Sequence, residues 1–128
     1  MKKVYLAGRF SEYDDWKDVV KKVEGFDFFD PEIHSDQSSP DTFYPDDLAA
    51  VKSANILIAH PGPAPCEGTW IEIGYFLAQK SKNTGDFCKE LIMIWQKDRI
   101  DWSKEFVEKT GIVVDSVEDA IKELEKLK

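Results

Sequence analysis

The chain is short of cysteine, histidine and positive charge, and each shortage removes a class of protein. Its two cysteines, Cys66 and Cys88, sit in unrelated contexts without CxxC spacing, so they read as free thiols of a reducing compartment. The two histidines, His34 and His60, lie far apart without partners at metal-ligand spacing. Both read as surface or loop residues, and neither a metal nor any other cofactor is expected. Lysine and arginine together number 17 against 25 acidic residues, a net charge of −8. A nucleic-acid polymer needs a basic surface that releases counterions, so that class of partner is excluded. The patterns GxGxxG and GxxxxGK are absent, which removes the common dinucleotide and P-loop readings. No long apolar run is present either. The stretch after Lys2-Lys3 ends at Gly8, too short for a signal-peptide core, and no later segment could span a bilayer. A cytoplasmic protein without membrane contact is expected.

What remains is a chain of 128 residues, 42% hydrophobic and 33% charged, long enough to bury a core. One domain over residues 1–128 is expected, with no repeat and no linker. Lys3 to Ala7 reads as a first strand ended by Gly8. Ser11 offers an N-cap to a helix reaching Glu24, with Trp16, Val19, Val20 and Val23 on one face and Gly25 closing it. Phe26 to Phe29 is a second strand, halted by Asp30-Pro31. The Ser-, Asp- and Pro-rich segment from Glu32 to Tyr44 reads as a surface loop, and Pro45 as the start of the next helix, with Leu48, Val51 and Ala54 inward. Asn55 to Ala59 is a nearly continuous apolar strand, followed by the stiff loop HPGPAP. A helix then runs to about Lys80, Leu91 to Trp95 is another apolar strand, and residues 96–110 are polar and partly helical. Gly111 to Val114 is the last strand, and Ser116 caps a terminal helix with Val117, Ile121 and Leu124 on one face.

Strands and helices alternate, and the central strands are apolar throughout. That is the pattern of a parallel sheet covered by helices on both faces. With right-handed crossovers, the economical topology is a flavodoxin-like α/β fold with five parallel strands in the order 2-1-3-4-5. Ligands of such sheets bind at the switch point, here between Gly8-Arg9-Phe10 and the segment from Cys66 to Thr69.

One residue there is out of place. In CEGTWIEIGY, Glu72 is flanked by Trp70, Ile71 and Ile73. A capping box with Thr69 explains the spacing but not the apolar setting. A helix N-terminus favours the ionised carboxylate while apolar flanks desolvate it, the condition of a nucleophile at a sugar carbon. Tyr5 reads equally as a core tyrosine, and Asp47 as a solvated neighbour of Asp46. Arg9 reads as a surface charge, a salt bridge or a phosphate clamp. Cys66 precedes a helix N-terminus, a setting that lowers a thiol pKa, but no histidine base accompanies it.

Val4-Tyr5-Leu6-Ala7-Gly8, Asp47-Leu48, and Gly68-Thr69 with Glu72-Ile73-Gly74-Tyr75 together resemble the nucleoside 2-deoxyribosyltransferases. The related 2'-deoxynucleoside 5'-phosphate N-hydrolases share this frame, and the segment from Gly111 to Ala120 resembles the end of some transferases. The resemblance implies that Glu72 attacks C1' and displaces the base, that Tyr5 orients Glu72, and that Asp47 is a proton donor near the leaving base. It implies substrate contacts from Gly8, Arg9, Phe10, Cys66, Glu67, Gly68 and Thr69. Its partners would be a nucleoside or nucleoside 5'-monophosphate and a free nucleobase, and its assembly a homodimer or larger homo-oligomer. Trp70, Tyr75 and Phe76 would supply apolar area for that contact. The chain departs from the family in having Arg9 in place of proline, Asn55 in place of aspartate, and Cys66-Glu67 in place of the usual acidic residues before Gly-Thr. Transfer of the sugar to a second base is the favoured activity. Hydrolysis of a nucleotide, or a non-catalytic nucleotide-sensing module, are the alternatives.

Overall fold

The computed structural model describes residues 1–8, 15–62, 66–82, 89–95 and 103–128. Five strands form one parallel sheet: β1 (Lys2–Gly8), β2 (Phe26–Phe29), β3 (Ile56–His60), β4 (Glu90–Ile94) and β5 (Ile112–Val114). Their order is β2-β1-β3-β4-β5, the doubly wound arrangement expected from the alternation of elements. Side chains alternate across each strand, so two separate cores form. On one face Val4, Leu6, Ile56, Ile58, Ile92 and Ile94 pack under α1 (Trp16–Val20) and α6 (Val117–Glu125). On the other, Tyr5, Ala7, Leu57, Ala59, Leu91 and Met93 pack under α3 (Pro40–Ser53), α4 (Glu67–Lys82) and α5 (Ser103–Thr110). Each large side chain fully buried in this way contributes about 1.5–3 kcal/mol. Apolar residues on both faces explain why the central strands read as unbroken hydrophobic runs.

The end of the sheet away from the switch point is tied by polar groups. Asn55 Oδ1 accepts from the Lys3 amide at 2.9 Å, Asn55 N donates to Lys3 O at 2.9 Å, and Glu90 N donates to Asn55 O at 2.9 Å. Buried Lys89 donates to the carbonyl of Lys52 at 2.9 Å and also to that of Ala54, satisfying acceptors left over at the end of α3. Desolvation there lowers the Lys89 pKa.

Several expected boundaries need correction. The segment from Glu32 to Tyr44 is not one loop. It holds α2 (Pro31–His34) and the first turns of α3, and Pro45 lies inside α3 rather than at its start. The physical cause is a repeated start signal. Asp30 caps α2 by accepting from Glu32 N at 3.1 Å, with Pro31 at the first helical position. Ser39 stands in the same relation to Pro40, and Thr42 Oγ1 accepts from the Ser39 amide at 3.2 Å. The first helix covers only Trp16–Val20. Lys22 and Val23 bond three residues back instead of four, and Gly25 turns the chain at φ 94°. Ser11 and Cys88 lie outside the described residues. Ser116 caps α6 as expected, accepting from Asp119 N at 3.1 Å.

Gly8 ends β1 in a place that admits no side chain. A Cβ there would meet His60 O at 2.8 Å and the Trp16 ring at 2.8 Å. The carbonyl belongs to the neighbouring strand and cannot step aside. Gly8→Ala is therefore expected to lose about 1–3 kcal/mol in urea unfolding, the range of overpacked interiors. An unchanged midpoint would show that the two strands separate freely.

Candidate active site

A cavity of about 460 Å³ opens between the carboxyl end of β1, the start of α4 and the flank of α3. Its wall includes Gly8 from β1, Cys66, Glu67, Gly68, Thr69, Ile71 and Glu72 from the start of α4, and Asp47 and Leu48 from α3. Arg9 and Phe10 lie outside the described residues. A Cβ on Gly68 would meet nothing within 4 Å, so its absence leaves room in the cavity and does not serve packing.

Glu72 does not cap its helix. α4 begins at Glu67, which puts Thr69 in the first turn, and Trp70 N already bonds Cys66 O at 3.2 Å. The capping box that the spacing of Thr69 and Glu72 allows is thus replaced by a tertiary contact: Tyr5 Oη donates to Glu72 Oε2. Tyr5 is fully buried in β1, its ring stacked on Phe29 at 5.5 Å and 12°. Burial, and then the charge and hydrogen bond of Glu72, push the phenol far above its ordinary pKa, so it stays a donor. Burial raises the Glu72 carboxyl from 4.5 to about 7 against the Tyr5 hydrogen bond, and the nearby Asp47 charge adds to the rise.

Asp47 sits half-buried in α3, and its Oδ1 atom is buried without a hydrogen-bond partner among the described residues. An orphaned acceptor in a cavity wall suits a ligand that brings a donor. Burial raises this carboxyl too, with Asp46 adding to the rise, while Ser35 and Lys17 oppose it.

Other wall residues carried no signal that the sequence reading used. Gln37, Phe43 and Tyr44 fell in the segment expected to be a loop, yet all three line the cavity. Phe43 and Tyr44 stand 5.1 Å apart, an aromatic pair in an otherwise polar stretch, which was the available clue. Gln37 spends its amide group on Pro31 O at 2.8 Å and Ser35 Oγ at 2.6 Å. Pro31's carbonyl can only accept, so the amide orientation is determined, and the Gln37 oxygen is the atom left for a ligand. His34 is occupied elsewhere, its Nδ1 accepting from Asp30 N at 2.9 Å, and His60 lies against the Trp16 ring at 5.6 Å. Among the described residues no group of histidine, cysteine and carboxylate side chains could hold a metal ion, and no helix is long and apolar enough to cross a membrane. Phe76, expected to add apolar surface, is fully buried under the sheet, while Ile71 (51% exposed) and Tyr44 (44% exposed) lie at the cavity.

No protein-family model matches the chain, and no curated protein matches it. Among solved structures it is similar to the CMP N-glycosidase BcmB of Clostridium botulinum, with a TM-score of 0.66. The two share 23% sequence identity over 97% of this chain and 99% of that one. What this likeness establishes is the fold, which the two chains share over nearly their whole length.

Proposed function

We propose that the protein cleaves the N-glycosidic bond of a nucleoside or nucleotide, with Glu72 as nucleophile. The observation that carries this reading is the Tyr5–Glu72 hydrogen bond at a cavity on the switch point. Glu72 Oε attacks C1', the C1'–N bond breaks, and its electron pair leaves with the base, which takes a proton from Asp47. A second displacement on the same carbon releases Glu72 and retains the sugar's configuration. If a free nucleobase attacks, the 2-deoxyribosyl group is transferred, and the incoming N–H proton returns to Asp47. If water attacks, the protein is an N-hydrolase. The transferase reading rests on the motifs around Glu72 and Gly111. The name of the similar structure, a CMP N-glycosidase, favours hydrolysis of a nucleoside 5'-monophosphate as the second reading.

The Gln37 oxygen and Asp47 Oδ1 make the base side of the cavity a wall of acceptors. Such a wall favours bases that offer an exocyclic amine, as cytosine and adenine do, over those that offer only a carbonyl at that edge. Incubation with cytosine, uracil, adenine and thymine nucleosides and their 5'-monophosphates, with and without a second base, tests the whole reading. Release of free base from the amino-substituted substrates is expected, with a new nucleoside formed if the protein is a transferase. No turnover of any of them would favour the non-catalytic, nucleotide-sensing module or an ordinary interaction domain. A homo-oligomer of at least two chains is part of this proposal, with Tyr44 and Ile71 as the apolar area beside the cavity. Light scattering that shows only monomer at micromolar concentration would remove it.

A further inference from the structure

A second cavity, of about 300 Å³, lies on the α3 face of the sheet and shares no lining residue with the first. Its floor is the stretch where β1 runs beside β2, with Lys3 opposite Asp27 and Tyr5 opposite Phe29. Its walls are His34 from α2 and Ala50, Ser53 and Ala54 from the end of α3. Phe29 is held from two sides: its ring stacks on Tyr5 at 5.5 Å, and the His34 ring leans on it at 5.5 Å and 41°. The volume is at the lower end of the ~300–1,000 Å³ typical of small-molecule pockets, so the space suits a single small ring system.

The polar side chains around this aromatic floor each have a defined sense. His34 Nδ1 accepts from Asp30 N at 2.9 Å, which puts the ring proton on Nε2 and makes that atom a donor. Ser53 Oγ donates to Ala50 O at 3.2 Å and keeps its lone pairs for another donor. Lys3 and Asp27 carry opposite charges on neighbouring strands, in register and on one face. Yet among the described residues neither the Lys3 ammonium nor the Asp27 carboxylate has an ion pair or a hydrogen bond. A cationic donor and a two-oxygen acceptor thus stand on strands about 4.8 Å apart, beside an aromatic-lined cavity and with no competing partner.

We propose that this cavity is a second binding site, for a planar 2-amino-oxopyrimidine ring, the group that guanine and the pterins share. Such a ring has one edge with two parallel N–H donors, from the amide nitrogen and the exocyclic amine, and an oxo group next to them. The Asp27 carboxylate takes the two donors as a bidentate pair, and Lys3 donates to the oxo group. Phe29 and His34 supply the aromatic surface, and the His34 N–H and the Ser53 oxygen add one donor and one acceptor. Adenine does not match, because it has no two adjacent donors. Uracil does not match either, because its N–H stands between two carbonyls that a carboxylate repels. Nothing in this inference depends on the role of Glu72.

The test is a titration with 9-methylguanine, which has no sugar to lose, followed by NMR of the histidine rings. The chain has two histidines: His34 lines this cavity, and His60 lies against Trp16 on the opposite face. Saturable movement of the His34 signals is expected, with those of His60 in place. Asp27→Asn removes one of the two acceptors and is expected to weaken binding by about 10- to 100-fold. Lys3→Met is expected to weaken it by about 3- to 10-fold. Both side chains are exposed, so neither variant threatens the fold. Glu72→Gln, which alters only the first cavity, leaves the titration unchanged, and 9-methyladenine and 1-methyluracil leave His34 unmoved. Biopterin is the second arm: whichever of the two probes saturates at the lower concentration names the source of the ring. Failure of both to move His34, an equal response to 9-methyladenine or to phenylalanine, or binding that survives Asp27→Asn overturns the proposal. Saturation in a protein that cleaves no nucleoside or nucleotide upholds this site and sinks the glycosidase reading instead.

Discussion

Replacing Glu72 by glutamine is expected to abolish base release while the protein stays folded. Glutamine keeps an oxygen for the Tyr5 hydroxyl, so the contact between β1 and α4 survives. What it loses is the carboxylate that attacks C1', and removing an essential nucleophile lowers turnover by at least about 10³-fold. Stability moves the other way. Burial raises the Glu72 carboxyl from an ordinary 4.5 to about 7 in the folded chain. The folded state therefore binds this proton more tightly than the unfolded state does. Its contribution to stability is full below the ordinary value, declines as pH rises toward about 7, and is gone above it. Glutamine has no such decline. Relative to wild type, Glu72→Gln is expected to gain on the order of 1–3 kcal/mol between pH 5 and pH 8 in urea unfolding. A variant that loses stability at both pH values and keeps its rate would make Glu72 a structural residue.

Asp47→Asn is expected to have the second largest effect, and the effect should depend on the leaving base. Protonation by a placed acid contributes about 10²- to 10⁴-fold to such a step, and an amide cannot supply it. An ordinary cytosine or adenine substrate should slow by that amount. A purine nucleoside or nucleotide methylated at N7 already carries a positive charge and departs without a proton. Its loss in Asp47→Asn should stay below about tenfold, whereas Glu72→Gln should abolish turnover of both. Asp47 lines the cavity and its Oδ1 atom has no hydrogen-bond partner among the described residues, which leaves the carboxyl available to the base. Equal losses on ordinary and methylated substrates would mean that Asp47 holds the substrate and does not protonate it.

Much of the frame was legible from residue order alone. The apolar runs read at residues 55–59 and 91–95 have the composition of strands covered on both sides, and that led to the parallel order. Tyr5, Asp47 and Glu72 were legible as a set through the resemblance, and the structure brings Tyr5 and Glu72 into contact and Asp47 to the same cavity. The helical content between Pro31 and Tyr44 was not, because a stretch rich in serine, aspartate and proline composes a loop by frequency and a helix start by position. Reading Asp30-Pro31 and Ser39-Pro40 as cap-plus-first-turn pairs would have found both helices and moved Gln37, Phe43 and Tyr44 toward the site. The capping box of Thr69 and Glu72, the rival reading of that carboxylate, fails for a different reason. Its spacing satisfies the capping rule, but α4 begins earlier, at Glu67, and the glutamate's partner lies far away along the chain. The buried pair of Lys17 and Asp30 was invisible because a lysine on a short helix reads as solvated until a carboxylate is found to have been folded over it.

The missing side chain at Gly8 has a consequence for fidelity. Both faces of this sheet are greasy, so a slip of β1 by one residue against β3 would still bury apolar side chains on either side. Hydrophobicity cannot detect such an error, but chemistry would be lost, since Tyr5 would swap places with Val4 or Leu6 and point its phenol at the wrong helices. Any residue of β1 offers the same main-chain groups to Asn55, but only Gly8 fits against His60, so a strand slipped by one residue would press a Cβ into that carbonyl. A glycine at the end of the strand thus acts as the proofreader for a tyrosine in its middle.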